Sequence, residues 1–109
     1  EKLAKQYAEL EKADQVDFYN GLEGYYSVLG HNKKQEAIAV LIEKNDHKIY
    51  VYQLDKGISQ DKAAMISREK GASDIDKITF GRYQDKPIWE VKSGNHYYLI
   101  DFETGALIQ

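Results

Sequence analysis

The sequence predicts an α+β fold in which short helices pack against antiparallel sheet, and three observations support this prediction. Apolar residues recur at helical spacing in two short segments, whereas in most of the remaining chain they alternate with polar residues, as strands do. Nine tyrosines stand against three phenylalanines and one tryptophan, and tyrosine favours half-buried strand positions. The 109 residues, 42% of them hydrophobic, suffice for the core of one compact domain.

The first part of the chain is expected to form a helix followed by two hairpins. Apolar side chains at helical spacing predict an amphipathic helix from residue 1 to about residue 12, centred on 2–11; they are Leu3, Tyr7 and Leu10. Beyond it the pattern alternates, and Gly21 and Gly24 separate two predicted strands. A turn at Asn45-Asp46 then joins a strand near 37–42 to a strand over 49–54.

The second part is expected to repeat this order with clearer boundaries. Ser59 is a suitable N-cap, and Gly71 stands at the position where glycine often ends a helix, so a helix over 60–70 is predicted. Three or four antiparallel strands should follow. Their predicted ranges are 75–83, 88–92, 96–102 and a short 106–108.

Two successive cycles of helix and strands suggest an internal duplication, with units at 1–56 and 57–109. The strand Tyr26-Ser27-Val28 of the first cycle corresponds to Trp89-Glu90-Val91 of the second. Two unrelated antiparallel meanders would also share alternation, so the pattern leaves both origins open. In either case each helix is expected to pack on its own sheet, and the two units are expected to superpose.

Catalytic or metal-binding chemistry finds no support in the residue pattern. The chain has no cysteine, and no serine lies in a Gly-x-Ser-x-Gly elbow. The three histidines lack the paired spacing of zinc ligands and stand in predicted turns. Asp101 and Glu103 share one strand face, but alternating charges are common at a solvated sheet edge. We therefore expect no enzyme activity, no cofactor and no metal.

Charge and hydropathy narrow the classes of partner. The net charge is −3 with the two signs interspersed, so a nucleic-acid partner is not expected. No apolar run is long enough to span a bilayer. The sequence begins at Glu1 without a methionine, which leads us to expect a targeting or anchoring segment upstream.

The excess of tyrosine raises the possibility of a binding face. If Trp89, Val91 and Ile100 fill the core, Tyr97 falls on the opposite, more open side of its sheet. Three tyrosines of the first unit are assigned to the same open face by alternation: Tyr25, Tyr50 and Tyr52. Such clusters suit protein interfaces and carbohydrate stacking, although tyrosine is also an ordinary cross-strand neighbour on a solvated sheet.

Motifs of the second cycle resemble a PepSY domain, which has a cystatin-like arrangement of a helix on an antiparallel meander. They are Gly57-Ile58-Ser59-Gln60-Asp61 at the helix start, Pro87-Ile88-Trp89-Glu90-Val91 in a strand, and Asp101-Phe102-Glu103-Thr104-Gly105 at the end. The whole chain, with its weaker first copy, resembles the extracytoplasmic part of the YpmB/TseB family of Gram-positive bacteria.

This resemblance implies a tandem domain outside the cell, held by one membrane-spanning helix that is absent from this sequence. It also implies a non-enzymatic regulator that binds a cell-envelope protein, such as a penicillin-binding protein active in cell-wall elongation. PepSY domains more broadly suggest a peptidase inhibitor as an alternative, and the tyrosines suggest peptidoglycan or glycan binding as another.

Overall fold

Antiparallel sheet accounts for most of the structure, a computed structural model that describes residues 10–109. The strands are β1 (Leu10–Asn20), β2 (Gly24–Asn32), β3 (Ala37–Glu43), β4 (Ile49–Gln53), β5 (Lys77–Tyr83), β6 (Lys86–Ser93) and β7 (His96–Asp101). They form a four-stranded sheet, β1-β2-β3-β4, and a three-stranded sheet, β5-β6-β7. In the described part of the chain, a 3₁₀ turn at Leu54–Lys56 and one α-helix, α1 (Gln60–Glu69), follow β4 and precede β5 in the sequence.

The two hairpins predicted for the first part are confirmed, but the predicted first helix is wrong where it can be compared. Residues 10–12 belong to β1, and the rest of that prediction lies outside the described residues. Leu10 pairs with Asn32 of β2 and is buried with Ile38 and Val40. Pairing and burial in a sheet outweigh a helical preference carried by three residues, because intrinsic propensities are worth only tenths of a kcal/mol.

Helix α1 begins and ends close to the predicted residues. The hydroxyl of Ser59 accepts a hydrogen bond from the Lys62 backbone N–H at 3.0 Å, which satisfies one of the unpaired donors of the first turn. Gly71 follows the helix with φ of +115°, a conformation that glycine adopts without strain. Ala63 and Ser67 are buried where the helix contacts β6 and β7. The expectation that this helix packs on its own sheet is confirmed.

The two faces of the three-stranded sheet differ sharply. Its inner face, which packs under α1, carries the row Phe80, Trp89 and Ile100, aligned by strand register. These three side chains are buried. The outer face carries the row Lys77, Lys92 and Tyr97. A single bridge from Ile100 to Leu107 matches the short fourth strand that the sequence predicts.

The four-stranded sheet contacts the three-stranded sheet on both of these faces. On the inner side, the rings of Tyr52 and Phe80 lie 5.7 Å apart. On the outer side, the Tyr19 ring covers Gly81 so closely that a Cβ at position 81 would lie 2.5 Å from it. One hydrophobic cluster therefore includes residues of both sheets and α1, which fixes β1 beside the outer face of the three-stranded sheet.

Candidate functional site

The structure divides the four predicted contact tyrosines between two places. Tyr25, Tyr50 and Tyr52 gather around the side chain of Arg82, where the two sheets meet. Tyr97 lies apart from them, on the outer face of the three-stranded sheet, where it is 54% exposed. The prediction that Tyr97 lies on the face of the sheet opposite to the face of Trp89 is confirmed.

Arg82 holds the three tyrosines through hydrogen bonds and a cation–π contact. Its Nε donates to the Tyr52 hydroxyl at 3.2 Å, and Nη1 donates to the Tyr25 hydroxyl at 3.4 Å. The guanidinium carbon lies 3.9 Å from the centroid of the Tyr50 ring, within the distance at which a cation and a ring attract. We call this group the Arg82 cluster; it joins strands β2, β4 and β5.

The expectation that all four tyrosines share one open face is wrong. Tyr25 is only 2% exposed, and Tyr50 and Tyr52 are half-buried against the main core. The alternation of residues was assigned correctly, but the sheet face that carries these three tyrosines packs against β5 rather than facing water. Sequence periodicity identifies the two faces of a strand without indicating which face a second sheet will cover.

A groove of about 460 Å³ lies where β1 passes over the outer face of the three-stranded sheet. Its lining residues are Phe18, Asn20, Lys77, Thr79, Glu90, Lys92 and Tyr97. We call it the Tyr97 groove. The floor comes from strands β5 and β6, whose outward side chains are fixed by the register Lys77 to Lys92 and Thr79 to Glu90. Phe18 and Asn20 are supplied by β1.

The charges of the groove are unevenly paired. Lys77 forms an ion pair with Asp17 at 3.0 Å. Burial would raise the pKa of Asp17, but hydrogen bonds from Gln15 and Lys77 outweigh that effect and lower it. Burial raises the pKa of Glu90, an effect that the charge of Lys77 reduces. Lys92 has no ion-pair partner among residues 10–109.

Sequence reasoning missed most of the groove. Lys92 and Glu90 could have been assigned to the outer face, because alternation follows once Trp89 and Val91 are placed inward. Phe18 and Asn20 could not, since no local pattern shows that β1 crosses the face of a distant sheet.

Other polar motifs have structural explanations in the described residues. The Asp101 carboxylate accepts hydrogen bonds from the backbone N–H groups of Glu103 and Thr104 at 2.8 and 3.3 Å, so it shapes the turn after β7. His31 lies in β2 and contacts Asp14 at 2.8 Å. Between Leu10 and Gln109 no cluster of three potential metal ligands occurs.

A carboxyl group at the end of β3 has an unusual environment. A hydrogen bond with the Asp46 carboxyl, burial, and the neighbouring Glu23 carboxyl together raise the pKa of Glu43 to about 7. Glu43 lies on the four-stranded sheet, where it pairs with Tyr25 across to β2. This group contributes to the pH dependence of folding.

Comparison with known proteins agrees with this architecture. The family model described as "Cell wall elongation regulator TseB-like domain" matches residues 1–43. The probable cell wall elongation regulator TseB of Bacillus subtilis (strain 168) is 34% identical, over 97% of this chain and 70% of that protein. The solved structure of the YpmB protein from Bacillus subtilis is 33% identical, with a TM-score of 0.82 over 97% of this chain and 88% of that chain.

The fold defines a domain built on paired antiparallel sheets, with a groove on one of them. The chain belongs to the TseB-like family of cell wall elongation regulators, as the resemblance of the whole chain implied. The family's description is that of a regulator, which agrees with the expectation that the protein is not an enzyme. Within residues 10–109, no helix has the length and apolar character needed to cross a membrane.

Proposed function

We propose that this protein is a non-enzymatic module outside the cytoplasm that binds and modulates a cell-envelope enzyme, such as a penicillin-binding protein in cell-wall elongation. We also propose that a single membrane-spanning helix on its N-terminal side holds it at the cell membrane. A protein partner follows from the role of a regulator; the identity of the enzyme and the tether are our proposals.

The Tyr97 groove is the observation that supports a binding role most directly. It offers an exposed aromatic ring, Tyr97, beside Lys92, which has no ion-pair partner among residues 10–109, on a sheet whose other face packs under α1. Binding sites built on packed strands keep their geometry, so little order must be gained on association. Of the four tyrosines predicted to contact a partner, we retain Tyr97 as the contact residue, because the other three are buried or half-buried around Arg82.

We further propose that the chain consists of two PepSY-like units, 1–56 and 57–109. All strands of the four-stranded sheet precede residue 57, and α1 with all strands of the three-stranded sheet follows it. Gly57 lies at this boundary, with its Cα so close to the Phe102 carbonyl that a Cβ would lie 2.3 Å from the oxygen. This division gives each proposed unit one sheet, which supports a tandem arrangement.

Binding to purified envelope enzymes tests the proposal. The domain is immobilised through an added C-terminal tag, and soluble ectodomains of the organism's penicillin-binding proteins are passed over it in an interferometry experiment. We expect one of them to bind, and its transglycosylase or transpeptidase rate to change when the domain is added.

The Trp89→Ala variant is a control for folding, because destabilising the sheet should weaken the binding. Binding to none of these enzymes would contradict the named class of partner. Binding without any change in rate would contradict a regulatory role. Adding the domain to envelope peptidase assays tests the inhibitor alternative in the same preparation, since inhibition there without binding to a synthase would favour that alternative.

A further inference from the structure

The outer face of the three-stranded sheet places two lysines directly opposite each other. Lys77 of β5 is the cross-strand partner of Lys92 in β6, and like charges in such pairs destabilise a sheet. For Lys77 this repulsion is offset by an ion pair, because its Nζ lies 3.0 Å from Oδ1 of Asp17. Lys92 has no acidic neighbour of this kind among residues 10–109. The groove therefore holds one cation that a ligand's carboxylate could neutralise.

Glu90 adds a carboxyl group to the same groove. It lies two residues from Lys92 along β6, opposite Thr79 of β5 and Leu99 of β7, and no side chain among residues 10–109 is hydrogen-bonded to it. A partly buried carboxylate gains stability from N–H or O–H donors. A ligand that supplies a carboxylate to Lys92 and backbone N–H groups near Glu90 would satisfy both residues.

An exposed apolar strip continues from the groove onto β1 and β2. Val16 and Phe18 share one face of β1, and Tyr26 is the cross-strand partner of Phe18. These three side chains are 52%, 38% and 46% exposed, although each is large and hydrophobic. Contiguous apolar side chains next to a charged pocket are typical of sites where proteins bind proteins. Phe18 belongs to both the groove and this strip, so the two form one surface.

We propose that this surface binds an extended segment of the partner protein in which an acidic residue is flanked by apolar residues. The acidic side chain pairs with Lys92, backbone N–H groups of the segment approach Glu90, and the apolar side chains cover Tyr97 and the strip. This inference rests on the proposed function, because it names the surface through which the regulatory domain contacts its partner.

A protein segment fits the strip better than a glycan does. Sugars stack on the open face of an aromatic ring, but Phe18 and Tyr26 meet edge to face, with centroids 5.3 Å apart and planes at 68°. The ammonium group of Lys44 lies 5.8 Å from the centroid of Phe18, over the ring. The strip therefore offers side-chain edges to apolar groups and no flat platform of parallel rings.

An NMR titration with defined peptides tests the inference. The ¹⁵N-labelled domain is titrated with a capped nine-residue peptide that has a central glutamate between two leucines, and with the same peptide carrying glutamine. We expect chemical-shift changes confined to β5, β6, β7 and the hairpin of β1 and β2. The dissociation constant should be roughly three- to fivefold higher for the glutamine peptide, the range of an exposed ion pair. Added salt should reduce the difference.

Two variants on one strand make the matched comparison. Lys92→Gln should abolish the preference for the glutamate peptide, whereas Lys86→Gln, at an exposed position of β6 outside the groove, should leave it unchanged. Equal binding of the two peptides, shifts elsewhere on the molecule, or no shifts would each overturn the inference. Shifts of the groove with a soluble disaccharide-peptide of peptidoglycan, and none with the peptides, would show a glycan site instead.

A second measurement separates this inference from the proposed function. The interferometry with penicillin-binding proteins is repeated with Lys92→Glu and Lys86→Glu. Loss of binding for Lys92→Glu alone supports the groove as the contact surface. Undiminished binding of both variants overturns the inference while leaving the proposed function intact. If the unsubstituted domain binds none of the enzymes, the proposed function fails, and the peptide titration then decides the groove's specificity by itself.

Discussion

The two faces of the three-stranded sheet show how one set of strands can serve stability on one side and recognition on the other. The inner face packs Phe80, Trp89 and Ile100 beneath α1, and at its end Arg82 draws three tyrosines of the other sheet together. The outer face leaves Tyr97 exposed in a groove beside Lys92, which has no ion-pair partner among residues 10–109. Tyrosine occurs on both sides, so residue type alone does not indicate its role.

The difference between the faces comes from what covers them. Aromatic rings on the inner face meet each other edge to face, as Phe80 does with Trp89 at 4.9 Å and with Phe102 at 5.2 Å. On the outer face, the Tyr19 ring covers Gly81, and Thr79 and Leu99 are also buried. The row Lys77, Lys92 and Tyr97 remains accessible along the groove. We infer that substitutions on the inner face will change stability, whereas substitutions in the groove will change binding.

The largest loss of stability is expected from Trp89→Ala. The indole is 2% exposed and its Nε1 donates a hydrogen bond to the Ile58 carbonyl at 3.0 Å, so truncation leaves a cavity and an unpaired acceptor. Such changes cost about 3–5 kcal/mol, which is measured by urea denaturation followed by circular dichroism. A loss below about 1 kcal/mol would show that the inner face is not the main core, and would remove the contrast between the faces.

A smaller loss is expected from Arg82→Met, which keeps most of the apolar stem but removes the guanidinium. The Tyr25 and Tyr52 hydroxyls lose a charged donor and the Tyr50 ring loses its cation, at a combined cost of about 2–3 kcal/mol. Denaturation curves of Arg82→Met and Arg82→Lys should differ, because lysine lacks the planar fork that reaches two hydroxyls. Identical curves for the two variants would argue that packing alone, and not hydrogen bonding, holds this end of the sheets.

The pH dependence of folding should be set by carboxyl groups whose pKa values are raised in the folded protein. Glu43, with a pKa of about 7 against an ordinary 4.5, binds its proton more tightly when folded. Its stabilising effect is therefore complete below pH 4.5 and is lost as the pH rises through about 7. Denaturation midpoints measured from pH 4.5 to 7.5 should fall, and Glu43→Gln should flatten this dependence.

Glu90→Gln gives the corresponding measurement on the outer face. Burial raises the pKa of Glu90, so the stability of the fold should fall with rising pH here as well. Because the ionised carboxylate lowers the stability near neutral pH, Glu90→Gln should stabilise the fold there slightly. A variant that loses stability instead would show that Glu90 already has hydrogen-bond donors in the free protein, which would weaken its assignment to ligand binding.

The smallest effect on stability is expected from Tyr97→Ser, which should change the free energy of unfolding by no more than about 0.5 kcal/mol. Its effect on partner binding should be larger, up to about 2 kcal/mol if the ring is a hot spot. Tyr52→Ser is the matched comparison, because it should lose about 1–2 kcal/mol of stability with unchanged binding per folded molecule. The reverse result, with Tyr97 structural and Tyr52 required for binding, would exchange the roles of the two sites.

Much of the local structure was readable from the sequence because it depends on near neighbours in the chain. Ser59 and Gly71 mark the two ends of α1, and their cap geometry involves only residues in or next to that helix. The alternation of β6 placed Trp89 inward and Tyr97, on the adjacent strand, outward. The resemblance of the whole chain to the YpmB/TseB family is also confirmed.

Tertiary structure decided which strand faces stay open. Alternation put Tyr25, Tyr50 and Tyr52 on one face of the first sheet, but only the packing of that sheet on β5 buried them around Arg82. It likewise turned residues 10–12 into strand through pairing with β2, and brought Phe18 across the outer face to complete the groove. The physical reason is that period and propensity act over a few residues, whereas burial depends on contacts between residues such as Tyr25 and Arg82, which lie 57 positions apart.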